Sequence, residues 1–185
     1  MPPCRRNAAQ SGVSNRQSED HLTRLLILIT FLVASAQVPS GATEATLIDY
    51  NGFQSLTREV HLYRAGRLVS LAQFQAMARE SNTIILDARS ADAFQRGHID
   101  GAINLSFTDF TAKSLADAIG DPQTRILIYC NNNFSNNVQP VMLKARPLAL
   151  NIQTFINLYG YGYRNVYELS ETVDFNDPAV NWVRG

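Results

Sequence analysis

The chain has 185 residues, of which 45% are hydrophobic and 17% are charged, so disorder along its whole length is excluded. Sixteen Lys and Arg residues balance sixteen Asp and Glu residues, and this zero net charge argues against a nucleic-acid-binding protein with a broad basic face. Two cysteines are too few for a disulfide scaffold or a cysteine-based zinc site, and no apolar run reaches the length of about 18 residues expected of a membrane span.

An apolar segment over 25–36 follows an arginine-containing N-terminal region. Its length of about twelve residues fits the hydrophobic region of a signal peptide and is too short to span a membrane. Ala34, Ser35 and Ala36 form a small-residue cleavage signature. We therefore predict a signal peptide over 1–36, cleavage after Ala36, and a periplasmic or secreted protein. Two alternatives stay open, namely a buried helix of the fold and a short membrane anchor that is never cleaved.

The predicted mature chain divides into three segments. The first, 37–67, begins rich in Gly, Ser, Thr and Ala and is predicted to be an irregular lead-in. The main domain covers 68–170, and the last segment, 171–185, is predicted to be a peripheral tail that Trp182 anchors. Within the main domain, short apolar runs predict strands and amphipathic segments predict helices. The predicted strands are 83–86, 102–105, 125–129 and 166–169, and the predicted helices are 71–80, 91–96, 108–119 and 147–160, with one or two helical turns over 138–145.

Alternation of apolar strands with amphipathic helices is typical of a parallel sheet, so we predict an α/β fold with a single parallel β-sheet flanked by helices on both faces. Functional groups of such sheets lie at the carboxyl ends of the strands. Cys130 directly follows the clearest strand, 125–129, and removal of the leader would leave it as the only cysteine. An Asn-rich turn after it can form a concave nest of N–H groups that stabilises a thiolate. The alternative is a buried, inert cysteine at the end of a strand.

Three stretches of the sequence resemble the rhodanese-like family and occur in the family's order. They are TIILDARSADAFQRGHIDGAINL at 83–105, RILIYC at 125–130 and YGYRNVYEL at 161–169. The resemblance covers roughly 68–170 and implies a sheet of about five parallel strands. It also implies sulfur transfer: Cys130 would take sulfane sulfur from a donor such as thiosulfate, hold it as a persulfide, and pass it to a thiophilic acceptor.

The loop after Cys130 differs from the family's pattern. Residues 131–136 contain neither the Gly nor the Arg or Lys that this loop usually carries, and the chain up to the next matching motif is unusually long. We interpret the difference as an insertion around 134–147, which would leave the N-terminus of the following helix less well aimed at the sulfur. Lys144 or Arg146 would then supply the missing positive charge. The predicted substrate-binding residues, through their backbone N–H groups, are Asn131, Asn132, Asn133, Phe134, Ser135 and Asn136.

Other residues with chemical potential are expected to be structural. Asp87 and Arg89 are expected to form an ion pair that orders the turn after their strand, and His98 to be a hydrogen-bonding residue of a turn. Asn136 occupies the sixth position after Cys130, where a cysteine-dependent phosphatase of this fold needs an arginine to clamp phosphate, which argues against that activity. Nothing in the sequence points to a cofactor, a metal, a nucleotide or nucleic acid.

Two principal hypotheses for function follow. The retained cysteine favours a rhodanese-type sulfurtransferase that acts on a small sulfur-containing substrate, with a protein as a further candidate acceptor. The neutral loop favours a catalytically weak rhodanese-fold binding module that recognises a partner protein or a sulfur species. A thiol redox role for Cys130 is the third alternative.

Overall fold

The computed structural model describes residues 46–184. The predicted signal peptide over 1–36 and its cleavage site therefore lie outside the described residues. Within 46–184, no helix combines the length and the apolar character needed to cross a bilayer.

Helices and strands alternate along the described part of the chain. Four 3₁₀ turns, at Phe107–Asp109, Asn131–Asn133, Arg146–Leu148 and Pro178–Val180, lie between them. In chain order, the helices and strands are α1 (Tyr50–Ala65), β1 (Leu68–Val69), α2 (Leu71–Ala78), β2 (Thr83–Asp87), α3 (Ala91–Arg96), β3 (His98–Ile99), β4 (Ala102–Asn104), α4 (Ala112–Ile119), β5 (Arg125–Tyr129), α5 (Leu150–Gly160), β6 (Val166–Leu169) and β7 (Trp182–Val183).

Five strands form one parallel sheet in the order β1-β6-β5-β2-β4, which confirms the predicted architecture. The strand before Cys130, β5, lies in the middle of this sheet, between β6 and β2. A separate two-stranded antiparallel ribbon joins β3 to β7, with Ile99 opposite Trp182. The predicted C-terminal tail is thus fastened to the domain by a strand that contains Trp182.

Side chains of β5 alternate between two hydrophobic cores, as expected of a strand buried on both faces. Ile126 and Ile128 belong to a core that includes residues of α1, α4 and α5. Leu127 and Tyr129 belong to a second core, which includes residues of α2 and of the C-terminal segment. The helices therefore cover both faces of the sheet.

Helix α1 corrects the prediction of an irregular lead-in for Tyr50–Ala65, whereas 37–45 of that segment lie outside the described residues. Asp49 caps this helix by accepting a hydrogen bond from the backbone N–H of Gly52 at 2.8 Å. Leu56, Val60 and Tyr63 recur at helical spacing along it and pack on the core. The helix is stable because it packs against α5 in the folded domain.

The helical turns predicted over 138–145 are absent. Asparagine side chains hold the backbone of this segment instead: Asn131 Nδ2 donates to the carbonyl of Met142 at 2.8 Å. Asn132 pairs with both backbone groups of Lys144, at 2.8 and 3.1 Å. Such side-chain bonds compete with helical hydrogen bonds, so the segment is ordered without secondary structure.

Candidate active site

Cys130 is buried at the carboxyl end of β5, with 1% of its surface exposed and a free thiol. A cavity of about 230 Å³ lies beside it. Residues of α1, the turn after β5, α5 and β6 line this cavity, which we call the sulfur pocket. The polar and charged residues of its lining are Arg64, Asn132, Asn133, Arg146, Asn151, Glu168, Ser170 and Thr172.

The N-terminus of α5 points at the Cys130 sulfur. Backbone N–H groups of Leu150 and Asn151, the first two residues of the helix, lie close enough to the sulfur to lower the pKa of the thiol. The first N–H groups of a helix lack partners within it, and the N-cap residue here, Ala149, has no side chain that could bind them. These unpaired N–H groups therefore face the side of the pocket where the sulfur lies. The expectation that the insertion would misdirect this helix is therefore wrong.

Two opposing influences act on the thiol. Burial is the larger and raises the pKa of Cys130, and the negative charge of Glu168 raises it further. The N–H groups of Asn151, Asn132 and Leu150 lower the pKa because they stabilise the thiolate. The net result is a pKa above the ordinary value, so the resting group at neutral pH is mainly the thiol.

An ion pair forms one wall of the sulfur pocket. Arg64 of α1 binds Glu168 of β6 through two hydrogen bonds, Nε to Oε2 at 2.5 Å and Nη2 to Oε1 at 2.6 Å. The Glu168 side chain is 7% exposed and the Arg64 side chain 33%. Asn151 Nδ2 also donates to Glu168 Oε1, at 3.3 Å. The carboxylate is thus held by the residue whose backbone N–H lies near the sulfur.

Sequence reasoning missed both members of this pair. A charged residue inside a buried strand is unusual, so Glu168 within the sequence VYEL carried a usable signal. Arg64 gave no such signal in the sequence. It lies in the segment predicted to be irregular and reaches the pocket only through the packing of α1.

The structure divides the predicted substrate-binding set. Asn132 lines the sulfur pocket and directs its backbone N–H at the sulfur, and Asn133 lines the pocket too. Phe134 is fully buried and packs edge-on against Trp182 at 4.9 Å between ring centroids. The backbone N–H of Ser135 donates to Val173, the side chain of Asn136 to Asp174, and that of Asn131 to Met142.

The predicted nest therefore does not close around the sulfur as one continuous loop. Asn133 N–H donates to the carbonyl of Cys130 at 3.0 Å and also faces the Cys130 side chain in a capping box, and Phe134 N–H donates to the carbonyl of Asn131 at 3.1 Å. These donors complete a 3₁₀ turn and are not free for a ligand. The N-terminus of α5 supplies the missing N–H groups in their place.

Of the two cations proposed to replace the loop arginine, one reaches the pocket. Arg146 lines the sulfur pocket and is exposed to solvent. Lys144 is absent from the lining, and its backbone is held by Asn132.

Asp87 and Arg89 form the expected buried ion pair, with Arg89 Nη2 at 2.6 Å from Asp87 Oδ2. The Tyr129 hydroxyl donates to the same carboxylate oxygen at 2.5 Å, and Arg89 Nη2 also donates to the Gly97 carbonyl at 2.7 Å. The network ties the ends of β2 and β5 to the turn after α3. These residues support the fold and do not line the sulfur pocket.

His98 is likewise structural, as predicted. Its Nδ1 lies 2.9 Å from the Phe94 carbonyl, and its ring stacks on that of Phe94 at 3.8 Å between centroids.

The chain was compared with protein-family models, curated proteins and solved structures. The family model described as rhodanese-like domain matches residues 70–173. No curated protein matches the chain significantly.

Three solved structures that are similar to this chain differ in the length of their own chains. A rhodanese with anions from E. coli is 22% identical with a TM-score of 0.38, over 56% of this chain and 99% of that one. A thiosulfate sulfurtransferase from Pseudomonas aeruginosa is 20% identical with a TM-score of 0.45, over 70% of this chain and 23% of that one. The BH2092 protein from Bacillus halodurans is 16% identical with a TM-score of 0.44, over 64% of this chain and 77% of that one. At these identities, none of the three assigns an activity or a substrate to this chain.

Proposed function

The chain belongs to the rhodanese-like domain family, and from this membership we propose that it is a sulfurtransferase that carries sulfane sulfur on Cys130 as a persulfide. One arrangement carries the proposal: Cys130 ends the central strand beside a pocket, and N–H groups of the turn at Asn132 and of the start of α5 at Leu150 and Asn151 lie near enough to lower the pKa of its thiol. Converging N–H groups stabilise the thiolate that must attack and the anionic persulfide that results.

The proposed reaction has two displacements at sulfur. First, the Cys130 thiolate attacks the outer sulfur of the donor, a bond forms between Sγ and that sulfur, and the S–S bond of the donor breaks. The electron pair leaves with the remainder of the donor, which is sulfite when the donor is thiosulfate. Second, a thiophilic acceptor attacks the outer sulfur of the persulfide, and the Cys130 thiolate is released.

The test is the intact mass of the full chain after incubation with a sulfur donor. We expect a mass gain of one sulfur atom that cyanide reverses and that Cys130→Ser abolishes. The variant is a necessary control because the full chain also contains Cys4. Failure of two donors, thiosulfate and methanethiosulfonate, to add sulfur to an alkylatable Cys130 would overturn the proposal.

A second candidate, a binding module without efficient turnover, is favoured by the burial of Cys130, a residue that is 1% exposed. Such a module would recognise a partner protein or a sulfur species at the pocket. Ligand affinity separates the two functions: a binding module would keep it in Cys130→Ser, whereas a persulfide carrier would lose covalent sulfur there.

We also propose that the protein is exported to the periplasm or secreted, on the strength of the apolar segment at 25–36. N-terminal analysis of the protein recovered from those compartments should give Gln37 as the first residue. An unprocessed chain that remains in the cytoplasm would contradict this proposal.

A further inference from the structure

We infer that the Arg64–Glu168 pair makes the sulfur pocket selective for sulfur donors of low charge, and that dianionic donors such as thiosulfate are disfavoured. This inference rests on the proposed sulfur transfer at Cys130. It concerns which donors the pocket accepts, and it assigns Glu168 and Arg64 the role of specificity-determining residues.

Glu168 places a carboxylate in the wall of the pocket, and Arg64 neutralises its charge. Glu168 is 5% exposed, and three N–H groups hold its carboxylate: two from Arg64, at 2.5 and 2.6 Å, and one from Asn151, at 3.3 Å. Asn151 also directs its backbone N–H at the Cys130 sulfur. The carboxylate is therefore held by hydrogen bonds in the same cluster of side chains that surrounds the reacting atom.

Arg64 is not free to bind the anion either. Its Nε and Nη2 edge is occupied by the two oxygens of Glu168, which is the bidentate geometry that an arginine would otherwise offer to a sulfonate group. Its charge is cancelled by the partner. Arg146, the other cation of the pocket lining, is exposed, so water and salt screen its charge.

The remaining attraction for a donor comes from backbone N–H groups, which are dipoles and carry no net charge. These N–H groups can stabilise the single negative charge that develops on the outer sulfur. The second charge of a dianionic donor meets an ion pair of zero net charge, and the one other cation of the described lining, Arg146, is exposed and screened. The pocket thus favours donors with a single charge or none.

Two donors differ in the required way. Thiosulfate carries two negative charges and leaves as sulfite, whereas methanethiosulfonate carries one and leaves as methanesulfinate. Both deliver their outer sulfur to the Cys130 thiolate in the same displacement, so atoms and charge balance equally. The ratio of kcat/KM for thiosulfate to that for methanethiosulfonate therefore isolates the effect of donor charge from the reactivity of the thiol.

The decisive variant is Glu168→Gln, which keeps the shape of the side chain, removes its charge and leaves Arg64 uncompensated. We expect the thiosulfate-to-methanethiosulfonate ratio to rise on the order of tenfold. Arg64→Gln removes the opposite charge and should lower the same ratio. If the pair only held α1 against the sheet, its loss would change kcat/KM for both donors by the same factor and leave their ratio unaltered.

Glu80→Gln is the matched control. Glu80 pairs with Arg125 at 2.5 Å, and Arg125 begins β5 at the end opposite Cys130. This variant removes an arginine-paired carboxylate far from the sulfur and should not move the ratio.

The outcomes separate the two proposals. The proposed selectivity for donors of low charge is called the charge filter here. If both donors form a persulfide and their ratio of kcat/KM is unchanged in Glu168→Gln and Arg64→Gln, the charge filter is overturned and sulfur transfer stands. Absence of a persulfide from either donor, in the wild type and in Glu168→Gln alike, would overturn sulfur transfer and the filter with it. If Glu168→Gln does not fold, a ratio in Arg64→Gln that fails to fall overturns the filter.

Discussion

Asn133 was predicted to bind substrate, but its contacts predict a large effect on stability. The residue is 7% exposed, and its amide makes four hydrogen bonds. Its Oδ1 accepts from the backbone N–H of Cys130 at 2.9 Å and from Asn151 Nδ2 at 3.0 Å. Its Nδ2 donates to the carbonyls of Leu169 at 2.7 Å and Glu171 at 3.0 Å. One side chain thus joins the ends of β5 and β6 to the start of α5.

Asn133→Ala removes all four bonds and leaves buried partners on Cys130 and Leu169 unpaired. A typical hydrogen bond contributes about 1 kcal/mol net, so the free energy of unfolding should fall by about 3 to 4 kcal/mol. The measurement is equilibrium urea denaturation of the full chain, with the midpoint and the slope compared with those of the wild type.

Asn132→Ala is the matched control for this experiment. It removes the same side chain from the adjacent position, but its two bonds to Lys144 are exposed to solvent. Water replaces them, and we expect a loss below about 1 kcal/mol. If the two variants lose equal stability, or if Asn133→Ala loses less than about 1 kcal/mol, the assignment of Asn133 as a structural clamp is refuted.

Two further predictions concern the buried ion pair and the thiol. Arg89→Met should lower the free energy of unfolding by about 3 to 5 kcal/mol, because it leaves the Asp87 carboxylate buried without its cation. Arg96→Met is its control, since the pair with Asp92 is exposed, and an equal shift of the urea midpoint in both variants would contradict the reasoning. Iodoacetamide should alkylate Cys130 at a rate that keeps rising between about pH 7 and 9, because its raised pKa keeps the reactive thiolate scarce at neutral pH. Peptide mass spectrometry follows this site separately from Cys4, and a rate that levels off near neutral pH would contradict the raised pKa.

Local sequence patterns were enough to predict most strands of the sheet. The runs at 83–86, 102–105, 125–129 and 166–169 were predicted within one residue of their observed ends, because continuous apolar segments form strands buried on both faces. The outermost strand, β1, escaped detection since it has two residues, Leu68 and Val69, and exists only through pairing with β6.

Helix α1 was missed although its sequence carries a helical signal. Leu56, Val60 and Tyr63 recur at helical spacing, but Val60 is the one fully buried residue of the helix, so its apolar stripe is narrow. The prediction of helical turns over 138–145 failed for a different reason. The segment has apolar residues, but Asn131 and Asn132 bind its backbone from a distance in sequence.

By itself, the sequence determined the α/β architecture, the position of Cys130 at the end of the central strand, and membership of the family. Each of these depends on contiguous residues. Only the tertiary structure decided what surrounds the sulfur. The N-terminus of α5 approaches it from a separate part of the chain, and the Arg64–Glu168 pair joins residues 104 positions apart. Contacts of such range arise from the packing of whole elements, so no local pattern encodes them.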